Sequence, residues 1–136
     1  MSRCARGAVA GLVAGVIAYA SAWPTLAQAQ QHRSFSAQVL RGELVIGLPP
    51  QVVLNGQDRR LAPGARIRGE DNLLKLPASL SGQRLVVHYT VEASTGLLAD
   101  VWILNPTELA NKRWPTSEAD ARSWRFDPSS QIWHRP

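Results

Sequence analysis

His32, His88 and His134 are the side chains best suited to proton transfer near neutral pH, and none stands at a metal-ligand spacing such as H-E-x-x-H. His88 carries the sharper expectation. It lies in the middle of "RLVVHYTVE", while Asp100 lies in "LLADVWIL", the next strand-like run. If the hairpin register brought the two together, they would form a general base with its orienting carboxylate, the core of a small hydrolase or isomerase. The plainer expectation is a half-exposed histidine making a cross-strand polar contact. A serine nucleophile finds no support, because G-x-S-x-G is absent and Ser79, Ser81 and Ser94 lie in turn-like sequence where serine bonds locally. Glu43, Glu92 and Asp100 are strand carboxylates that no spacing pairs. The expectation is therefore a non-enzymatic chain, with no catalytic residue, metal ligand or cofactor assigned.

Two groups of residues could bind rather than react. In "PPQVVLNGQDRRLAPGARIRG" four arginines follow an Asn-Gly pair, and Arg59, Arg66, Arg68 and Lys75 form a candidate anion patch. Glu70 and Asp71 would neutralise part of it, and strand alternation alone explains Arg66 and Arg68 as solvent-facing residues around Ile67. "APGAR" is not a phosphate loop, since it lacks the G-x-x-x-x-G-K-[ST] framework. The second group is aromatic. Trp114, Trp124 and Trp133 stand among Lys112, Arg113, Arg122, Arg125 and Arg135, a mixture able to stack sugar rings or meet a membrane surface. The competing expectation is that Trp124 and Trp133 plug the open end of a small barrel.

"MSRCARGAVAGLVAGVIAYASAWPTLAQAQQHR" reads as a secretory signal peptide: Arg3 and Arg6, an apolar run from Ala8 to Trp23, then Ala27-Gln28-Ala29 with cleavage expected after Ala29. Gly7, Gly11 and Gly15 also fit G-x-x-x-G spacings of packed membrane helices, but the run is shorter than the ~20 apolar residues that a span needs. Cleavage would remove Cys4, the only cysteine, and leave a fold resting on its core without disulfide or thiolate. It would also remove two of the 15 basic side chains, leaving 13 against 10 acidic ones. A weakly basic exported chain suits an acidic envelope polymer, anionic surface or envelope protein better than nucleic acid, and no membrane span is expected after cleavage.

These residues must be positioned by short strands. "FSAQVLRGELVIGL" predicts one strand from Phe35 to Leu48, bulged or bent at Gly42. Asn55-Gly56 predicts a two-residue hairpin and Pro63-Gly64 a second reversal. "RLVVHYTVE" and "LLADVWIL" predict an antiparallel pair, with Leu85, Val87, Tyr89 and Val91 on one face and Leu97, Ala99, Val101 and Ile103 on one face. "TELAN" is a short helical candidate. "TSEADARSW" predicts a helix capped by Ser117, and "WRFDPSSQIWHRP" predicts an aromatic hairpin around Asp-Pro.

The order of "RGELVIG", "VVLNGQDRRLAPGARIR", "LSGQRLVVHYTVE" and "GLLADVWIL" resembles small exported bacterial domains of unknown function with an OB-like or SH3-like barrel. That resemblance covers Phe35 to Leu104, implies a compact barrel and offers no catalytic residues. The expected organisation is a signal peptide over 1–29, a barrel domain over 30–106, and a C-terminal helix and Trp-rich hairpin over 107–136 packed on it. The fold class is mainly β, a small antiparallel, partly open barrel. The expected role is a periplasmic binding or accessory module.

Overall fold

The computed structural model describes residues 32–136. The expected signal peptide, Cys4 and the cleavage position after Ala29 lie outside the described residues. Among those described, no helix is long and apolar enough to cross a membrane.

Among the described residues eight strands form two sheets: β1 Leu40–Ile46, β2 Gln51–Leu54, β3 Gln57–Arg68, β4 Leu74–Lys75, β5 Arg84–Val91, β6 Leu98–Ile103, and the separate ribbon β7 Arg125–Asp127 with β8 Ile132–His134. A 3-10 turn at Pro77–Leu80 precedes β5, and two short helices, α1 Pro106–Ala110 and α2 Glu118–Ser123, precede the ribbon. The first sheet runs β2-β1-β5-β6-β3-β4, and a further β2–β3 pairing closes five of its strands into a barrel.

The mainly β barrel expected from the sequence is present, but it is closed rather than partly open. Closure depends on a parallel pair, β3 with β6, in an otherwise antiparallel arrangement. Strand β3 makes this possible by changing partners along its length. Its first half pairs with β2 from Gln57 to Arg60, and its second half pairs with β6 from Arg66 to Arg68. The register shifts between Leu61 and Arg66, where Gly64 has φ +78°. The second chain reversal expected at Pro63-Gly64 therefore does not occur: Leu61 already pairs with Leu98 of β6, the glycine supplies a local positive-φ bend, and the strand rejoins β6 at Arg66 instead of folding back.

The first hairpin is as expected. Asn55 and Gly56 have φ of 52° and 77°, and Leu54 pairs directly with Gln57. Gly42 has a different role from the bulge predicted for it. β1 begins only at Leu40, and its pairing with β5 runs without a shift through Gly42 and Val87. A Cβ at Gly42 would lie 2.9 Å from Leu54 Cδ1 and 3.0 Å from Asn55 Oδ1. The bare backbone admits the turn residue, whose Oδ1 accepts from Glu43 N at 2.9 Å while its own N–H donates to Glu43 O at 2.9 Å.

The barrel interior holds Leu40, Leu44, Ile46, Val52, Leu54, Leu61, Ile67, Val87, Tyr89, Leu98, Val101 and Ile103. Each such aliphatic side chain contributes about 1.5–3 kcal/mol on burial. A register shift in the β5–β6 hairpin between Tyr89 and Val91 turns Leu98 inward, where simple alternation placed Leu97 and Ala99.

A second core lies outside this one. Phe35, Val39, Trp114 and Trp133 are buried together, with Trp102, Trp124 and Phe126 partly buried against them. Trp124 and Trp133 accordingly do not plug the barrel end. The β7–β8 ribbon, in which Phe126 pairs with Trp133, belongs to this outer layer, where Trp102 of β6 also packs. Trp114 Nε1 donates to Val39 O at 2.8 Å, and Arg41 N donates to Pro115 O at 2.9 Å, fastening the tail segment alongside the start of β1.

Candidate functional site

Alternation on four neighbouring strands builds the site. Arg41 on β1 pairs with His88 on β5, His88 pairs with Trp102 on β6, and Trp102 pairs with Arg68 on β3. The four residues form one cross-strand row on the outer face of the barrel, because their chain neighbours Leu40, Val87, Tyr89, Val101, Ile103 and Ile67 point inward. The N-terminal arm crosses this row. Phe35 sits edge-on to His88 with ring centroids 4.4 Å apart and edge-on to Trp102 at 5.6 Å. Beyond the arm on one side lies an open cleft of about 630 Å³ lined by Arg68, Asn72, Trp102, His32, Arg33, Ser34 and Phe35. At the Arg41 end lies a smaller cavity of about 50 Å³ whose lining includes Arg41, His88, Trp114, Asn111 and Glu108.

The arm is held by polar contacts to distant parts of the chain. Arg33 Nε donates to Glu108 Oε1 at 2.8 Å and its Nη2 donates to Oε2, while further donors reach Gly69 O at 3.0 Å and Ile103 O at 2.7 Å. Glu108 is presented by the capping box of α1: its N–H donates to Asn105 Oδ1 at 2.9 Å, and its carboxylate accepts from Asn105 N at 3.1 Å. Gln131, with φ 57°, accepts from Phe35 N at 2.7 Å and donates to Phe35 O at 3.1 Å, in place of a neighbouring strand.

His88 is 1% exposed, contrary to the half-exposed position expected for it. Its ring stacks at a tilt on Trp114, centroids 4.3 Å apart. Nε2 accepts from Arg41 Nε at 3.2 Å and faces Arg41 Nη2 at 3.0 Å, which places the ring proton on Nδ1. Burial, then the charges of Arg41 and Arg33, push its pKa down to about 2. A neutral ring whose lone pair is already engaged by a guanidinium does not serve as a general base at neutral pH.

Nor does the structure bring His88 to Asp100. The histidine's partner on β6 is Trp102, while Asp100 pairs with Arg66 and accepts from its Nε at 2.9 Å.

The expected arginine patch is dispersed in the same way. Arg66 is paired with Asp100 and Lys75 with Asp71, while Arg59 lies on the other half of β3 beside a separate groove of about 470 Å³. Of the four, Arg68 alone lines the cleft, and it has no carboxylate partner among the described residues.

The aromatic surface expected from Trp114, Trp124 and Trp133 is corrected too: Trp114 and Trp133 are buried in the second core, and Trp124 is half-buried with the Arg135 guanidinium 4.6 Å from its ring centroid. Among the described residues, no group of three or more histidine, cysteine or acidic side chains is arranged to hold a metal ion.

Sequence reasoning missed Arg33, Phe35, Arg41, Trp102 and Glu108. One signal was present for Glu108, the capping-box spacing Asn105-x-x-Glu108. The others depend on pairing between distant strands. Comparison of the chain with protein-family models, curated proteins and solved structures finds no match.

Proposed function

We propose that this chain is an exported, non-enzymatic binding module of the bacterial envelope, and that its ligand is an acidic envelope polymer lying in the cleft over Trp102 and Arg68. The observation that carries this reading is the β3–β6 register, which sets an uncompensated guanidinium beside a half-buried indole at an open cleft. An indole face takes sugar rings, and arginine pairs with carboxylates through its planar fork. Asn72, Ser34 and His32 line the same cleft and add hydrogen-bonding groups.

The connectivity supports an OB-like over an SH3-like description. The first barrel strand lies between the second and fourth, and the third lies parallel to the fifth. Barrels of that type bind oligosaccharides and oligonucleotides on a strand face. The neutral, engaged state of His88 and its separation from the Asp100–Arg66 pair favour binding over hydrolysis.

Titration of intrinsic tryptophan fluorescence with soluble peptidoglycan fragments tests the proposal. Trp102→Ala and Arg68→Ala should each weaken binding about tenfold, equivalent to ~1.4 kcal/mol. Unchanged affinity in both variants, or no binding by the unaltered protein, would exclude the cleft as the polymer site.

A second reading has its own observation. Leu73, Leu74 and Leu76, exposed at 63%, 63% and 76%, flank or occupy β4, an edge strand that among the described residues pairs only with β3. Exposed apolar side chains on a strand edge suit an envelope protein that adds a strand there.

A further inference from the structure

We infer that the small cavity at the Arg41 end of the cross-strand row is a binding site for a small monovalent anion, of the size and chemistry of a single carboxylate. The charges lining it do not cancel. Among the described lining residues Glu108 carries the one carboxylate, and both its oxygens are taken: Oε1 by Arg33 Nε, and Oε2 by Arg33 Nη2 and Asn105 N. Arg41 is left with neutral acceptors only, namely His88 Nε2, Asn111 O and Glu108 O. The lining thus carries two guanidinium charges and one carboxylate, a surplus of one positive charge in a partly desolvated place. Burial accordingly lowers the pKa of Arg41, with Glu108 acting in the opposite direction.

A donor is left over as well. With Nε2 engaged by Arg41, His88 carries its proton on Nδ1, and this buried N–H has no acceptor among the described residues. Orphaned buried donors are uncommon in folded proteins and call for a partner. His88 and Arg41 both line the space, whose volume is about 50 Å³, whereas a single water requires only ~10–15 Å³. Water would satisfy hydrogen bonds without balancing the charge. An anion beside Arg41 would balance the charge, and one that also reached the His88 Nδ1–H would satisfy that donor; the single surplus charge selects a monovalent anion.

The site does not depend on the polymer reading, but the two adjoin. His32, Arg33 and Phe35 line both the cavity and the larger cleft. The anion could be a free ion or a carboxylate carried by a ligand in the cleft.

Nitrogen-15 NMR of the Arg41 Nε and His88 ring nitrogens, in chloride-free buffer, distinguishes these sources. The titrants are sodium acetate, its neutral isostere acetamide, a uronic acid oligomer and the corresponding neutral oligomer. Saturable shifts with acetate, and at least tenfold weaker binding of acetamide, would support a free-ion site. Shifts with the acidic oligomer alone would support the site with the ligand as source. Equal response to acetate and acetamide, or resonances unmoved by every titrant, would overturn the inference. Arg41→Gln should abolish the acetate response; the acetate and acetamide comparison in the unaltered protein decides the matter even where that variant does not fold.

Discussion

Arg33 and Glu108 form a two-point ion pair at 7% and 8% side-chain exposure, joining the N-terminal arm to a helix 75 residues further along the chain. The same carboxylate closes the capping box of α1, so one side chain fixes both the helix start and the arm over the row. Removing the carboxylate leaves the Arg33 guanidinium buried without its counter-charge. Glu108→Gln should therefore cost about 3–5 kcal/mol of unfolding free energy, measured by urea denaturation. An exposed pair such as Arg122–Glu118 provides the contrast, with Glu118→Gln costing under ~1 kcal/mol. Equal losses for the two would show that the arm pair is not desolvated.

His88 gives a pH dependence whose sign follows from its depressed pKa. The unfolded chain protonates it near pH ~6.5, whereas the folded chain holds it neutral down to about pH 2. Below pH ~6.5 the unfolded state binds the extra proton, so stability present above that pH is lost as pH falls toward 2, by on the order of 1 kcal/mol per pH unit. Denaturation midpoints of the unaltered protein should fall between pH 6.5 and 4.5, and His88→Phe should flatten that part of the profile. A slope unchanged in the variant would assign the acid sensitivity to other groups.

Asn55 contributes both a positive φ and a side-chain bond to Glu43 N. Asn55→Ala loses the bond and strains the turn, for a combined cost of about 2–3 kcal/mol. Asn55→Gly loses only the bond, at about 1 kcal/mol. Thermal unfolding should rank them unaltered, Gly, Ala; Ala equal to Gly would mean that the turn conformation carries no strain.

The edge leucines make a prediction in which stability and binding separate. Leu74→Ser with Leu76→Ser should change unfolding free energy by no more than ~0.5 kcal/mol at each site, because both side chains are exposed. If β4 docks an envelope protein, co-purification from the native envelope should lose one partner in that double variant. A full partner set would leave the edge as an ordinary surface.

What the sequence disclosed was local. The Asn55-Gly56 turn, the Ser117 cap, the β5–β6 pair and the aromatic ribbon each have their signal within about twenty residues, where backbone preference and alternation decide. The parallel closure did not, since nothing near Pro63-Gly64 says that the chain after it will meet β6 instead of turning back. The site was hidden for a related reason. His88 alternates as an outward residue and does point outward; what buries it is Phe35, more than 50 residues before it, and Trp114 beyond the barrel. Periodicity reports the face that a residue takes on its own strand, but not what distant chain covers that face.

The clasp between Gln131 and Phe35 also sets a mechanical path. Tension applied to the chain ahead of Phe35 reaches the ribbon through Gln131, and through Arg33 it reaches both α1 and the end of β6 at Ile103 O. A pull from that side is thus shared between the outer layer and one barrel edge, and release of these contacts would uncover the row.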